Sequence, residues 1–498
     1  MRSLAGWLQR HADFTPDKLA LHTDSGDLNY AQFAKRVRNT VSWIAASNLV
    51  AGDRVAWLGP NSADVLVMLF ACAECELVLL PLNWRLADEE LINILDDARA
   101  GVLVIDPAFK SRKEKLEAFG GLIFDPSDLD LTSNFEQPLG RIVDDEAAVL
   151  LVYTSGTTGR PKGAVLSQEA LQFNALNAIH MHDMTAHDRI FTVLPLFHVG
   201  GLNIQTLPGF YCGAEVRLES QFDPGTWLSV VAEDRPSLTV LVPATMQAVL
   251  NHPDWSDCDL SSLRSITTGS TDVPLALIQA FHDRNVPVIQ IYGATETGPV
   301  AIYQKAEQAF DDVGAIGYAG MHTDVRLLNR NGEDCGVDVA GELLLRGKHV
   351  ATGYWNRDSE QPEPFNSGWF ASGDVARRDK DGRYWFVDRI KRVIISGSEN
   401  IYPAELERIL NGAPGIVEAA VVGQSDERWG EVPVVVAVRE ADTVSASLVL
   451  DFFADHLARF KHPKAVYFVT ALPRNAMGKI ENQRLCDWVN MKPRPAEP

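Results

Sequence analysis

Through its first three hundred residues the chain switches repeatedly between two hydrophobic periods. Tyr30, Phe33, Ala34, Val37, Val41 and Ile44 recur at helical spacing, and Asn29 stands where an N-cap belongs. The run Arg54-Val-Ala-Trp-Leu-Gly then reads as a strand, Asn61 onward as a helix, and Val102-Leu-Val-Ile as another strand. The rhythm continues through the strand Ser237-Leu-Thr-Val-Leu-Val, a helix over Pro274–Asp283 and the strand Val288–Tyr292. This alternation predicts an α/β fold in which helices cover mostly parallel sheets.

From about residue 313 the pattern shortens. Asp324-Val-Arg-Leu-Leu, Asn331-Gly332 and Gly341–Gly347 alternate strand and turn signals, and Asp381-Gly382 between two apolar runs marks a hairpin. This predicts a small β-rich subdomain closing a large N-terminal domain of two α/β subdomains, 1–388. A small α+β domain, 389–498, follows the charged junction Asp388-Arg-Ile-Lys-Arg. It carries a helix over 403–410, strands over 416–422 and 433–438, a helix over 447–459 and a strand over 466–469.

Composition narrows the function. The 498 residues suggest about three domain-sized units. With 46% hydrophobic and 22% charged residues the chain is globular. A net charge of −21 argues against nucleic acid and acidic membranes as partners, so an anionic ligand needs a local cradle. Six cysteines are too sparse for a disulfide scaffold, and Cys72 and Cys75 fall in an apolar helical run with no second CxxC to complete a metal site. The N-terminal segment has no apolar core of a leader peptide, which predicts a cytoplasmic chain. The uncharged stretch Ile190–Ala214 contains Pro195, Pro208, four glycines, Asn203 and Gln205, too many breakers and amides for a membrane span. His180, His182 and His187 match no metal-ligand spacing and read as a solvated loop.

Five segments carry chemistry. Tyr153-Thr-Ser-Gly-Thr-Thr-Gly-Arg-Pro-Lys-Gly163 follows an apolar strand and packs glycines, hydroxyls and Lys162 into an anion cradle. It is not a Walker A loop, because the Lys does not follow the second Gly and the next segment is a strand. Gln290-Ile-Tyr-Gly-Ala-Thr-Glu-Thr-Gly298 ends a strand, where ligands gather in open α/β sheets. There Tyr292 can stack on a planar ring, Thr295 can donate to phosphate, and Glu296 can hold a hard cation such as Mg²⁺. In Gly368-Trp-Phe-Ala-Ser-Gly-Asp374 the Asp can accept from vicinal hydroxyls. The remaining two are Val387–Glu407 and Leu472-Pro-Arg-Asn-Ala-Met-Gly-Lys479.

In this order and spacing the five segments resemble the adenylate-forming superfamily of acyl-CoA synthetases, luciferases and peptide-synthetase adenylation domains, over nearly the whole chain. Asp388-Arg389, Lys391, Ile395-Ser-Gly397, Glu399–Pro403, Glu405 and Glu407 look like the fatty acyl and aryl branch. The resemblance implies an ATP-dependent carboxylic acid:CoA ligase that uses Mg²⁺ and coenzyme A and works through an acyl-adenylate. Thr154, Ser155, Gly156, Thr157, Thr158, Gly159 and Lys162 would embrace the β- and γ-phosphates. Tyr292, with Gly269, Ser270 and Thr271, would line the adenine pocket. Thr295 would meet the α-phosphate and Glu296 the Mg²⁺; Asp374 would bind the ribose, assisted by Arg389. Lys391 would be the hinge of a mobile C-terminal domain, whose Lys479 reaches the carboxylate and α-phosphate and whose Gly397 lines the pantetheine path. His198, Gly200, Tyr292 and Gly293 would border the acid. The usual Thr-Gly-Asp is Ser372-Gly-Asp here, which keeps both hydroxyl and carboxylate. The family also points to a homodimer.

A stand-alone amino-acid adenylation domain is the alternative within the superfamily. Such domains hold the substrate amine with an Asp, and Leu238–Met246 has none. A hydrolase is excluded by the absence of G-x-S-x-G. Gly200 and Gly201 leave space, and Phe197, Val199, Met246 and Val300 are apolar. They predict a pocket for a medium- or long-chain fatty acid or for an aryl acid of hydroxycinnamate type.

Overall fold

The computed structural model describes residues 2–129, 138–154, 161–269, 273–356, 365–396, 399–426, 429–453, 457–475 and 478–492. The chain divides into two compact units: Met1–Val325 with Leu344–Phe370, and Arg326–Leu343 with Ala371–Pro498.

In the first unit the predicted periodicities become helices on sheets. Helix Tyr30–Ala46 starts at a capping box: the Asn29 side chain accepts from the Gln32 amide at 2.8 Å, and Gln32 returns the bond to the Asn29 amide at 2.9 Å. Its predicted apolar stripe is buried. Helix Ala63–Cys75 is capped by Ser62 and, apart from Asp64, buries every residue from Ala63 to Glu74. That all-round apolar character is what an interior helix requires. Cys72 lies in this helix, and burial pushes its thiol well above the usual range and that of Cys75 up to about 11. Both are free and serve as packing groups.

Two sheets organise this unit. Among the described residues the larger has nine strands, in the order Tyr318–Ala319, Ile302–Tyr303, Val288–Tyr292, Ser265–Gly269, Leu238–Val240, Arg189–Thr192, Glu215–Leu218, Leu19–Thr23 and Gly26–Asn29. Its centre is parallel, so Gly269 and Tyr292 emerge together at the carboxyl edge. The other sheet orders Gly353–Tyr354, Lys162–Ser167, Ala148–Thr154, Val78–Pro81, Arg54–Leu58, Val102–Ile105 and Leu122–Phe124. Ala148–Thr154 and Lys162–Ser167 pair antiparallel with Thr154 opposite Lys162. The cradle therefore joins strand to strand, as its flanks predict.

The uncharged stretch 190–214 is a buried piece of this unit. After strand Arg189–Thr192 come a short helix Val199–Gly201, a wide π-type turn Leu202–Thr206 and helix Leu207–Cys212, with Pro208 in its first turn. Among the described residues no helix is long and apolar enough to cross a membrane. The solvated-loop reading of the histidines fails for two of the three. His180 and His182 end helix Gln168–His182, and His182 is fully enclosed. The local run around them is too polar to announce a core helix; His182 is buried because its ring bonds the Ala178 carbonyl at 2.7 Å and the distant Thr267 hydroxyl at 2.8 Å. No metal-ligating cluster occurs among the described residues.

The stretch 324–389 is β-rich, as its turn signals predict, with strands Asp324–Leu328, Gly341–Arg346, Phe365–Asn366, Trp369–Arg378 and Tyr384–Arg389. In the second unit the chain reverses at Asp381-Gly382, where Gly382 takes a positive φ of 88°. The Asp379 carboxylate anchors that turn by accepting from the amides of Asp381 and Arg383 at 3.0 Å and from Trp385 Nε1 at 2.9 Å. Beyond it, the long antiparallel strands Ile416–Asp426 and Gly430–Arg439 are apolar on both faces. Val421, Val435 and Ala437 pack with Leu406 and Leu410 of helix Pro403–Leu410. Ala420, Val422, Val434 and Val436 pack with Leu485 and Val489 of helix Asn482–Asn490. A strand covered on both sides loses its polar alternation, which explains the unbroken valine run. The helix expected over 447–459 is described only as Ala446–Asp451; residues 454–456 lie outside the described residues.

Candidate active site

Strand Val288–Tyr292 delivers the segment Gly293–Val300 to the carboxyl edge of the larger sheet. Glycine is needed at this edge, because a Cβ on Gly293 would lie 1.7 Å from the Pro299 carbonyl oxygen and one on Gly269 would lie 2.5 Å from that of Ile291. Thr295–Thr297 forms one tight turn in which Thr295 and Glu296 are buried, while Tyr292 remains half-buried at the strand end. A buried irregular segment must have its backbone polar groups met, and side-chain amides meet them here. Asn174 accepts from the Val300 amide at 2.9 Å, Asn177 donates to the Val300 carbonyl at 2.9 Å, and Asn203 donates to the Gly298 carbonyl at 2.7 Å. Asn174 also donates to the Asn203 carbonyl at 2.7 Å. His349 braces the turn from the other side, its Nδ1 donating to the Thr297 carbonyl at 2.7 Å while Nε2 accepts from Thr323 Oγ1 at 2.8 Å.

The carboxylate of Glu296 is held as well. Tyr354 donates its hydroxyl to Glu296 Oε1 at 2.6 Å, and the Ala351 amide donates to the Glu296 carbonyl at 2.8 Å. Strand Gly353–Tyr354 pairs antiparallel with Lys162–Ser167, so the same tyrosine also meets the strand that follows the glycine- and hydroxyl-rich segment. Lys162 Nζ lies 5.1 Å from the centre of its ring, within cation–π range. Thr154 Oγ1 donates to the Lys162 carbonyl at 3.4 Å, and Tyr153 donates to Asp97 Oδ2 at 2.6 Å, fastening the foot of the loop. Ser155, Gly156, Thr157, Thr158 and Gly159, together with Ser270, Thr271 and Gly397, lie outside the described residues.

In the second unit, Asp374 and Arg389 face each other across strands Trp369–Arg378 and Tyr384–Arg389, with Arg389 Nε 3.4 Å from Asp374 Oδ1. Ser372 Oγ donates to the Leu343 carbonyl at 2.7 Å and accepts from the Asp374 amide at 3.1 Å, so the hydroxyl fixes the aspartate's backbone. Lys479 belongs to the same cluster. It closes a tight turn in which its amide donates to Asn475 Oδ1 at 3.0 Å and the Asn475 amide donates to its carbonyl at 2.9 Å. Burial first, and then repulsion from Arg389, hold its ammonium below the usual lysine range, against an opposing pull from Asp374. Burial raises the Glu342 carboxyl, and nearby Asp374 adds to the rise. Asp388 is fully buried. It accepts from the amides of Arg389 and Ala404, each at 2.7 Å, and so caps helix Pro403–Leu410. Lys391 is exposed on the turn Ile390–Arg392.

His198 is half-buried and caps helix Val199–Gly201, its Nδ1 accepting from the Gly200 amide at 3.0 Å. That role fixes a neutral ring with its hydrogen on Nε2. The four apolar residues expected to line one acid pocket do not share a cluster. Val199 packs in the core around helices Tyr30–Ala46 and Ala63–Cys75, Met246 packs with Trp227 and Phe281, and Phe197 meets Trp84 edge-on at 6.4 Å. Val300 alone sits with Leu194, Ile204, Val240 and Ile291. Sequence reasoning missed Tyr354, His349, Asn174, Asn177 and Asn203. A signal was present for two of them: Asn174 and Asn177 are three apart within one helical run, hence on one face.

A strand pair of one sheet that carries a glycine- and hydroxyl-rich connection, and a buried Thr-Glu turn at the carboxyl edge of another, together suit an enzyme that handles an anionic ligand. The chain belongs to the AMP-binding enzyme family: that family's model matches residues 8–355, and the model of its C-terminal domain matches residues 405–479. It is similar to an indoleacetate–CoA ligase of Aromatoleum aromaticum, 43% identical over 98% of each chain. A feruloyl-CoA synthase of an Amycolatopsis species is 38% identical over 96% of this chain and 97% of its own. Among solved structures, o-succinylbenzoate CoA synthetase of Bacillus subtilis with its acyl-adenylate superposes with a TM-score of 0.87 at 29% identity, covering 96% of this chain and 97% of that one. The protein is an AMP-forming acid:CoA ligase. It uses ATP, Mg²⁺ and coenzyme A, joins acid to thiol through an acyl-adenylate, and releases AMP and pyrophosphate.

Two buried imidazoles give this architecture a pH signature. Burial lowers both His182 and His349 from 6.5 to about 4. Between those values the unfolded chain binds more protons than the folded one, so stability falls as pH drops from 6.5 toward 4. Each group contributes about 1.4 kcal/mol per pH unit. Guanidinium unfolding at pH 7 and pH 5 should show the loss, and His182→Gln should make it shallower; an unchanged slope would contradict the assignment.

Proposed function

We propose that the chain activates an aryl carboxylic acid and transfers it to coenzyme A. The observation that carries this reading is the 43% identity, over 98% of both chains, to an indoleacetate–CoA ligase, with a feruloyl-CoA synthase at 38%. A long-chain-fatty-acid–CoA ligase of Mycobacterium tuberculosis stands at 32% over 96% of this chain, which makes the aliphatic acid the second reading.

The residue roles follow from charge. A carboxylate attacking the α-phosphorus of ATP brings two anions together, so the protein has to position and neutralise them. Thr154, the loop hydroxyls of Ser155, Thr157 and Thr158, the backbone of Gly156 and Gly159, and Lys162 hold the β- and γ-phosphates. Tyr292, Gly269, Ser270 and Thr271 receive adenine, Thr295 donates to the α-phosphate, and Asp374 with Arg389 takes the ribose hydroxyls. Glu296 fits a hard divalent cation: its carboxylate is buried, and the Tyr354 hydroxyl bonds Oε1 at 2.6 Å. Mg²⁺ bound there would neutralise phosphate charge. Lys479 neutralises the carboxylate and α-phosphate in adenylation, and its lowered pKa reflects how little water surrounds it. Gly293, His198 and Gly200 border the acid. The second half-reaction needs a thiol where Lys479 has acted. The reading therefore retains 389–498 as a mobile domain hinged at Lys391, with Gly397 on the pantetheine path. The enzyme works in the cytoplasm, in keeping with six unpaired thiols, and as a homodimer.

ATP–pyrophosphate exchange across a panel of aryl, alkyl and amino acids tests the class: exchange with amino acids alone would refute it. Lys479→Ala should slow adenylation about 10²- to 10³-fold while leaving thioester formation from supplied acyl-AMP largely intact; equal loss of both half-reactions would break the division of roles. Tyr354→Phe should raise the Mg²⁺ concentration for half-maximal exchange about 10-fold, and an unmoved Mg²⁺ titration would remove Tyr354 as a support of the metal carboxylate.

A further inference from the structure

Asp388 stands just before the turn Ile390–Arg392, which carries Lys391, and its side chain is wholly shut from solvent. Its two oxygens serve the two sides of that turn. Oδ1 accepts from the Arg389 amide at 2.7 Å and so fixes the backbone of the residue that faces Asp374. Oδ2 accepts from the Ala404 amide at 2.7 Å, in the first turn of helix Pro403–Leu410. Only a carboxylate can do this with both oxygens; a side-chain amide has a single acceptor oxygen and would set an N–H₂ against a backbone N–H.

Two more links cross the same turn. Arg392 Nη1 lies 3.7 Å from Asp388 Oδ1, and its Nη2 bonds the Glu407 carboxylate on the helix. In the other direction, Arg408 of the helix donates Nη2 to the Phe386 carbonyl at 3.1 Å and to that of Val387 at 3.5 Å, on strand Tyr384–Arg389. A backbone rotation at Lys391 turns strand against helix and parts these donors from their acceptors. The loss at Asp388 is the expensive one, because a buried carboxylate that gives up a donor finds no water to replace it. While the links are closed, Lys479 is buried beside Asp374 and Arg389.

We propose that Asp388 is a positioning residue for the adenylation step: together with Arg408 it latches helix Pro403–Leu410 to strand Tyr384–Arg389 across Lys391, which holds Lys479 at the nucleotide, and the latch opens before the thiol attacks. The proposal rests on the reading of 389–498 as a domain hinged at Lys391 whose Lys479 serves adenylation alone. Weakening the latch shifts population toward the open arrangement, so it slows one half-reaction and spares the other.

The test uses the full-length enzyme and measures the half-reactions separately: ATP–pyrophosphate exchange with the best acid of the panel above, and thioester formation from coenzyme A and the acyl-AMP of that acid. Asp388→Asn should lower exchange about 10-fold and Arg408→Ala about 3-fold, with thioester formation level or faster. Arg408→Lys, which keeps a donor for the strand carbonyls, should recover most of the exchange. Arg408 is exposed, so its variants decide the matter even if Asp388→Asn does not fold. Equal loss of both half-reactions would make the links structural only and overturn the proposal. Unchanged exchange in both variants would overturn it too, as would slowed thioester formation with exchange intact. Lys479→Ala tells this failure from that of the hinge reading. If it splits the half-reactions and the Asp388 and Arg408 variants do not, the hinge stands and the latch falls; if it does not split them, both fall.

Discussion

Carrying a carboxylate into a protein interior on irregular backbone is possible only if that backbone's own polar groups are met, and the first unit is arranged around that requirement. The segment after strand Val288–Tyr292 leaves the sheet ladder and loses its strand partners just where Thr295 and Glu296 are buried. Asparagines from two helical segments and a histidine supply the missing bonds to Gly298, Val300 and Thr297. Asn174 and Asn177 each donate and accept, so they satisfy backbone on one segment while tying it to another, whereas Asn203 donates only. The result is rigid placement at the sheet's carboxyl edge, where preorganised polar groups are worth most.

The same requirement explains why polar residues appear in apolar helices. Gln205, His182 and Thr267 form a buried cluster in which His182 Nδ1 donates to the Ala178 carbonyl and Gln205 Nε2 reaches His182 Nε2, Thr267 Oγ1 and the Thr239 carbonyl. A buried network of this kind rigidifies its surroundings, because its polar atoms have no water to turn to if the contacts are lost.

The second unit handles charge differently. Asp374, Arg389 and Lys479 come from two strands and a turn, and each feels the others. Ser372 and Asn475 hold the backbone of Asp374 and Lys479 through short local bonds. Such turns are cheap to encode locally, which is why the Ser-Gly-Asp and Gly-Lys segments are recognisable as motifs, whereas the buried asparagines that hold Gly298–Val300 are dispersed along the chain.

Helix Tyr30–Ala46, helix Ala63–Cys75, the hairpin at Asp381-Gly382 and the strand-to-strand connection between Thr154 and Lys162 were all legible, because period, caps and turn residues act within a few positions. Dense local strings also carry Lys162, Thr295, Glu296, Asp374 and Lys479, so those segments stand out from the sequence without knowledge of the fold. The burial of His182 was not legible, nor was the dispersal of Phe197, Val199, Met246 and Val300 into separate packing environments. Tyr354 is fifty-eight positions from the carboxylate it bonds. The sequence by itself determined the period of each element and the chemistry each loop displays. Only the tertiary structure decided which distant donors meet which acceptors, because a hydrogen bond is satisfied by whatever group folding brings within 3 Å or so, and spacing along the chain does not encode that approach.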